Sequence, residues 1–211
     1  YGYSSGAAIS PEMIRLFHAM GVNLKSLYGL SETGINVIGH DENFSPDVTG
    51  NALPNSEVKV NEDGEIVIRS KSMLKGYYKN PGAYEEKVKD GWFHTGDFGY
   101  IDQENRLTVI DRIEDMRELR TGTKFSPQFT EIRLRFSPYI KDGLTLGGKD
   151  RDFVSAIINI DFENVGKWAE ARHIAYTTFV DLSQKEQVYD LIQQYIQRIN
   201  KVVPEGARIK K

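Results

Sequence analysis

A charged run, Asp111-Arg112-Ile113-Glu114-Asp115, divides this chain into two stretches of different hydrophobic rhythm, and that change constrains the fold most. Before it, short apolar stretches broken by turn residues predict a β-rich part. Residues 57–60 and 65–69 alternate around Asp63-Gly64, a hairpin signature. Residues 24–28, 35–38 and 106–110 read as further strands, the last reached through a turn at 103–105. Ser10 and Pro11 predict the N-cap and first residue of a helix that stops at Gly21. A loop over 75–83 and a short helix over 84–89 lead to Asp90-Gly91, which turns into Trp92-Phe93-His94-Thr95-Gly96-Asp97. After the charged run, Ser126-Pro127 opens a helix reaching about residue 136. Residues 153–160 alternate as a strand, and 162–172 are helical. Ser183 and Glu186 form a capping box for a long helix striped with Val188, Leu191, Ile192, Tyr195, Ile196 and Ile199. The expectation is a mixed α/β (α+β) chain: a β-rich part over 1–113, then a small α/β domain over 114–211.

The 211 residues are 39% hydrophobic and 27% charged, the balance of ordinary globular material with a core. A net charge of -3 gives no pull toward nucleic acid, so no nucleic-acid partner is expected. The absence of cysteine excludes disulfides, thiolate metal sites and cysteine nucleophiles. It fits a reducing, cytoplasmic setting, with peripheral membrane contact left open. No apolar run approaches the ~20 residues that span a bilayer, and the first ten residues lack the blocks of a signal peptide. His18, His40, His94 and His173 have no metal-ligand spacing. The chain starts without Met and stops within an apolar-basic pattern, so it reads as a piece of a longer protein.

Four short segments carry the chemistry: Ser5-Gly6-Ala7-Ala8, Tyr28-Gly29-Leu30-Ser31-Glu32-Thr33, Thr95-Gly96-Asp97, and the charged run itself. Each alone has a plain reading. Gly6-Ala7-Ala8 is a tight turn, Tyr28 a half-buried tyrosine at a strand end, and Ser31-Glu32 a solvated polar loop. Asp97 is a turn aspartate, and Arg112 a surface arginine bridging Asp111 or Glu114. In this order, with Gly122 and Ser126-Pro127 behind them, the segments resemble the adenylate-forming (AMP-binding) family of acyl-CoA synthetases, luciferases and peptide-synthetase adenylation domains.

The resemblance covers essentially the whole chain. It implies the β-rich C-terminal part of a large adenylate-forming domain, followed by a truncated lid domain with its hinge near Glu114. It implies ATP/AMP, Mg²⁺ and CoA as cofactors or substrates, with a fatty acid as the third small-molecule partner. Gly6, Ala7 and Ala8 would let the backbone approach the purine edge, Tyr28 would offer its ring face to adenine, and Gly29 would lie in the same loop. Ser31 would hydrogen-bond the α-phosphate and Glu32 would lie near Mg²⁺, a hard ion suited to a carboxylate oxygen. Asp97 would accept the ribose hydroxyls, and Arg112 would pair on the phosphate or ribose side. Gly122 would belong to the loop shaping the CoA tunnel.

Two positions depart from the family pattern. Ser31 stands where threonine is usual, which loosens the hydroxyl rotamer, and Glu114 stands where lysine or aspartate is usual. The family's phosphate loop should lie upstream and its lid lysine downstream, so the chain alone is expected to be inert. Phe125-Ser126-Pro127-Gln128, Ser137-Pro138-Tyr139-Ile140 and Ala156-Ile157-Ile158-Asn159-Ile160-Asp161 are similar to the long-chain fatty acyl branch. Leu30 and Ile35 are pocket-floor candidates or ordinary core. An aryl-acid or carrier-protein enzyme of the same family, and a non-catalytic nucleotide-binding module, remain the rivals; oligomeric state is open.

Overall fold

In the computed structural model, which describes residues 2–6, 9–34, 38–39 and 44–211, the chain falls into two compact units, Tyr1–Glu114 and Asp115–Lys211. The first opens with strand β1 (Gly2–Ser4), helix α1 (Pro11–Ala19) and strand β2 (Leu24–Ser26), and β1 and β2 run parallel. Ser10 caps α1 by accepting from the Met13 amide at 3.1 Å, and Pro11 supplies a φ already suited to the first helical position. A two-stranded pair, β3 (Ile38–Gly39) and β4 (Asn51–Ala52), follows.

The body of this unit is a five-stranded sheet. It contains the hairpin β5 (Ser56–Val60) and β6 (Glu65–Ser70), then helix α2 (Pro81–Lys87), β7 (Val88–Lys89), β8 (Trp92–Ile101) and β9 (Leu107–Arg112). Ile66, Ile68, Ile38 and Leu107 are fully buried at its centre, and Tyr28, Leu30 and Val58 pack against them. Burying an isoleucine or leucine contributes about 1.5–3 kcal/mol, which makes this cluster the anchor of the sheet.

Two local expectations change here. The helix expected over 84–89 starts earlier, because Pro81 nucleates it, and Val88–Lys89 leave it to pair with Trp92 and Phe93. Asp97, a turn aspartate in its plain reading, instead lies with Thr95 and Gly96 inside the ten-residue strand β8, with Thr95 and Asp97 on its buried face.

The second unit begins with a small hairpin, β10 (Arg117–Glu118) and β11 (Lys124–Phe125), and helix α3 (Pro127–Leu134) capped by Ser126. Strands β12 (Ile140–Leu146) and β13 (Ser155–Ile160) pair antiparallel. Helices α4 (Phe162–Glu170), α5 (Phe179–Ser183) and α6 (Glu186–Asn200) complete it. The buried stripe of α6 is Val188, Leu191, Ile192, Ile196 and Ile199.

Strand β12 has no counterpart among the expected elements, since Asp142 and Gly143 are residues of low strand preference. In place, Gly143 lets α3 approach: a Cβ there would stand 2.9 Å from a Leu134 methyl. The Ser183 capping box does not form. Thr178 caps α5 instead, Ser183 ends that helix with its hydroxyl donating to the Val180 carbonyl at 2.9 Å, and α6 starts at Glu186 with Lys185 as an N-cap that makes no side-chain hydrogen bond. Among the described residues no helix is long and apolar enough to cross a membrane.

Candidate functional site

Parallel strands expose their carboxyl ends to ligands, and in the first unit the chain leaves β1 toward Gly6 and β2 toward Tyr28. The Leu27 amide donates to the Ser4 carbonyl at 2.8 Å, prolonging the β1–β2 pairing toward both residues. Gly6 has a φ of +86° and is exposed, with nothing within 4 Å of where a Cβ would stand. Ala7 and Ala8, assigned to the same turn, lie outside the described residues, as does Ile35. Tyr28 is held by two backbone hydrogen bonds with Ile38, at 3.1 and 3.0 Å. Its ring lies on the Ile66–Ile68–Leu107 cluster, and its hydroxyl donates to Asp97 Oδ2.

Asp97 is 5% exposed. A carboxylate buried this deeply needs partners, and it has them on both oxygens. Oδ2 accepts from Tyr28, and Oδ1 faces Arg112 Nη1 at 3.1 Å. Arg112 reaches it because Asp97 and Arg112 are register partners across β8 and β9. The arginine's guanidinium thus pairs with Asp97, and its Nη1 also donates to the Thr95 carbonyl at 3.4 Å.

Burial pushes the Asp97 carboxyl above the ordinary carboxylate range; the Tyr28 hydroxyl and Arg112 oppose that rise, while Asp111 and Glu65 add to it. Burial and the facing carboxylate likewise drive the Tyr28 hydroxyl far above its usual value, so it stays a donor. A carboxylate offers roughly four acceptor positions. Two are taken, and those that remain suit a pair of neighbouring hydroxyls.

Gly29 and Leu30 join Tyr28 to a single 3-10 turn, Ser31–Thr33. Thr33 is fully buried and closes the turn on itself: its hydroxyl donates to the Leu30 carbonyl at 3.1 Å and accepts from the Leu30 amide at 3.2 Å. This leaves Ser31 exposed at the head of the turn. Glu32 is half-buried; its carbonyl accepts from the Leu74 amide at 2.8 Å and Oε1 from the Tyr77 hydroxyl at 3.1 Å. Burial, then Glu32, raises the Tyr77 hydroxyl above its usual value. Among the described residues Glu32 Oε2 accepts no hydrogen bond, so the side chain suits a single-carboxylate contact to a hard cation. No three His, Cys, Asp or Glu side chains gather into a metal cluster among the described residues. Leu30, a pocket-floor candidate, packs on the central cluster.

Tyr28, Asp97 and Arg112 therefore form one hydrogen-bonded group, and Ser31 and Glu32 follow Tyr28 in the chain. Among the described residues no hydrogen bond links these last two to Asp97. Glu114 is exposed in the 3-10 turn Ile113–Asp115, where the chain passes from one unit to the other. Gly122 belongs to the second unit, in the β10–β11 turn, with its amide donating to the Leu119 carbonyl at 2.9 Å.

Three residues went unassigned in the sequence: Thr95, Tyr77 and Glu65. Thr95 is buried; its hydroxyl donates to the Ile66 carbonyl at 2.6 Å and accepts from the Asp97 amide at 3.0 Å. The Glu65 partners lie 29 and 31 residues away, beyond any local pattern. His94 pairs with Glu65 at 2.8 Å.

Residues 1–78 match the AMP-binding enzyme family. The long-chain-fatty-acid–CoA ligase FadD15 of Mycobacterium bovis is 28% identical over 210 residues, 99% of this chain and 35% of that protein. The 4-coumarate–CoA ligase 1 of Glycine max is 30% identical over 167 residues, 70% of this chain and 57% of that protein. The crystal structure of the anthranilate CoA ligase AuaEII in complex with anthranoyl-AMP shares the fold, with a TM-score of 0.68 at 18% identity over 99% of this chain and 39% of that one. The chain thus spans about a third of the length of the FadD15 relatives, 35% in each.

Proposed function

This chain belongs to the AMP-binding enzyme family, and on that premise we propose that it is part of an ATP-dependent carboxylate–CoA ligase acting on a long-chain fatty acid. In the first step a carboxylate oxygen attacks the α-phosphorus of ATP. The bond to the β-phosphate oxygen breaks, giving acyl-AMP and pyrophosphate. In the second, the CoA sulfur attacks the acyl carbonyl, the bond to AMP breaks, and the thiol proton passes to solvent. No covalent enzyme intermediate is required; the protein supplies positioning and charge.

The observation that carries this reading is the buried Asp97 carboxylate, oriented by Tyr28 and Arg112 yet with acceptor positions to spare. In this assignment Asp97 accepts the ribose hydroxyls, Arg112 holds the ribose or phosphate side, and Tyr28 presents its uncovered ring area to adenine. Gly6 and Gly29, with Ala7 and Ala8, border the purine. Ser31 faces the α-phosphate, and Glu32 would hold Mg²⁺, which supplies neutralising charge at the phosphates. Glu114 serves as the hinge, a role supported by its place at the junction of the two units. Gly122 belongs to the CoA loop. The long-chain assignment rests on FadD15 matching 99% of the chain, where the coumarate ligase matches 70%. Aryl acids are the second reading, favoured by that ligase. By itself the 211-residue chain is expected to bind nucleotide without turnover.

Calorimetric titration of AMP into the chain tests the assignment. Saturable binding that Asp97→Ala weakens by at least about tenfold is expected, in line with loss of a charge-assisted contact of about 1.5–3 kcal/mol. Binding unaffected by Asp97→Ala, or none in the wild type, refutes it. Acyl-CoA formation by the chain alone would overturn the expected inertness. A substrate screen on the full-length protein decides between fatty and aryl acids.

A further inference from the structure

Glu65 is absent from the proposed chemistry, yet its carboxylate reaches the backbone on which that chemistry depends. It is the first residue of β6, and its side chain is only 16% exposed. Oε1 accepts from the Gly96 amide at 3.0 Å, and Oε2 pairs with His94 Nδ1 at 2.8 Å. Both partners flank Thr95 on β8, one residue and three residues before Asp97. The contact falls where the β6–β8 ladder slips, between Glu65 and Val67, and Gly96 there takes a φ of +73°. At that irregularity the carboxylate is the acceptor for the Gly96 amide.

The Asp97 amide is tied in turn to the Thr95 hydroxyl, which is anchored on the Ile66 carbonyl. The strand carrying Asp97 is thus fixed from both faces: by Thr95 on the buried face, and by Glu65 on the face bearing His94. Hydrogen bonds to a charged acceptor are roughly twice as strong as neutral ones. The arrangement also places a further negative charge near Asp97, whose carboxyl is raised chiefly by burial, with Asp111 and then Glu65 adding to the rise.

We propose that Glu65 is a positioning residue for nucleotide binding: it clamps the Gly96 amide, with His94 as its second arm, and so aims the Asp97 carboxylate at the ribose. This rests on the assignment of Asp97 as the ribose acceptor. Misplacement of a positioned group by about 1 Å can cost up to about a hundredfold, so loss of the clamp should be visible in affinity without any loss of contact to ligand.

The experiment compares Glu65→Ala and Glu65→Gln in the 211-residue chain, with AMP as the probe and Asp97→Ala as control. Amide exchange at Gly96 is followed by NMR without ligand. Expected for Glu65→Ala are faster Gly96 exchange and about tenfold weaker AMP binding. Glu65→Gln, whose amide oxygen can still accept from Gly96, should stay within about threefold of wild type. Equal losses in the two variants would assign the effect to charge and overturn the clamp. So would unchanged Gly96 exchange in Glu65→Ala, or AMP binding that Asp97→Ala abolishes and Glu65→Ala leaves within about twofold. Absence of AMP binding in the wild type would refute the nucleotide assignment, and this inference with it. If Glu65→Ala fails to fold, the Gln variant decides: Gly96 exchange and AMP affinity near wild type support the clamp, and loss of either overturns it.

Discussion

Replacing Tyr28 with phenylalanine isolates the hydrogen bond on which the site turns. The ring keeps its place on the Ile66–Ile68–Leu107 cluster, so little transfer or cavity cost arises, and only the hydroxyl that donates to Asp97 is removed. Asp97, 5% exposed, then keeps Arg112 as its one side-chain donor among the described residues. A hydrogen bond to a charged group contributes about 1.5–3 kcal/mol. Relief from burying the hydroxyl offsets part of that, so a loss of about 1.5 kcal/mol near neutral pH is expected. The hydroxyl favours the ionised carboxylate, and its removal raises the Asp97 pKa further. The loss should therefore be largest well above that pKa and shrink as pH falls through it.

Each unit carries one of the two tryptophans, Trp92 in the first and Trp168 in the second. A Trp168→Phe background lets Trp92 fluorescence follow the first unit alone during urea unfolding. Measurements at about pH 7.5 and about pH 4 give the pH dependence. A loss below about 0.5 kcal/mol, or one of equal size at both pH values, refutes the claim that the hydroxyl stabilises a buried charge.

Two further outcomes follow from the same geometry. The raised Asp97 pKa means the folded chain holds that proton more tightly than the unfolded chain, so stability from this group is present below its ordinary value of 3.8 and is lost as pH rises through the folded value. Asp97→Asn should therefore flatten the urea midpoint over that window and leave the first unit at least as stable at neutral pH, while AMP affinity in the titration collapses; a lower neutral-pH midpoint would show that the Arg112 pair outweighs burial. In the second unit, Ser126→Ala removes the oxygen that accepts from the Phe129 amide at 2.9 Å, and should lower stability by about 1 kcal/mol on the Trp168 signal in a Trp92→Phe background; an unchanged midpoint would mean the cap adds nothing.

Local physics was legible in the sequence wherever one residue's own chemistry sufficed. Ser10-Pro11 and Ser126-Pro127 fixed two helix starts, because a short hydroxyl followed by a ring-locked φ leaves few alternatives. The hairpin of β5 and β6 followed from alternation around Asp63-Gly64. The buried stripe of α6 was readable from its spacing even though the capping box ahead of it was not, since Ser183 had a neighbouring helix to end.

Contacts between distant positions were invisible in that way. Nothing near Asp97 in the chain announces that Tyr28, 69 residues earlier, will donate to it, or that register across β8 and β9 will bring Arg112 to its other oxygen. The same holds for Glu65 and Gly96, and for β12, whose Asp-Gly pair becomes a strand only because α3 packs close against it. Residue types and spacing determined which groups were available and which segments would be helix or strand. Tertiary structure decided which of those groups meet, because burial makes an unpaired charge or amide costly and so selects partners by proximity in space rather than along the chain.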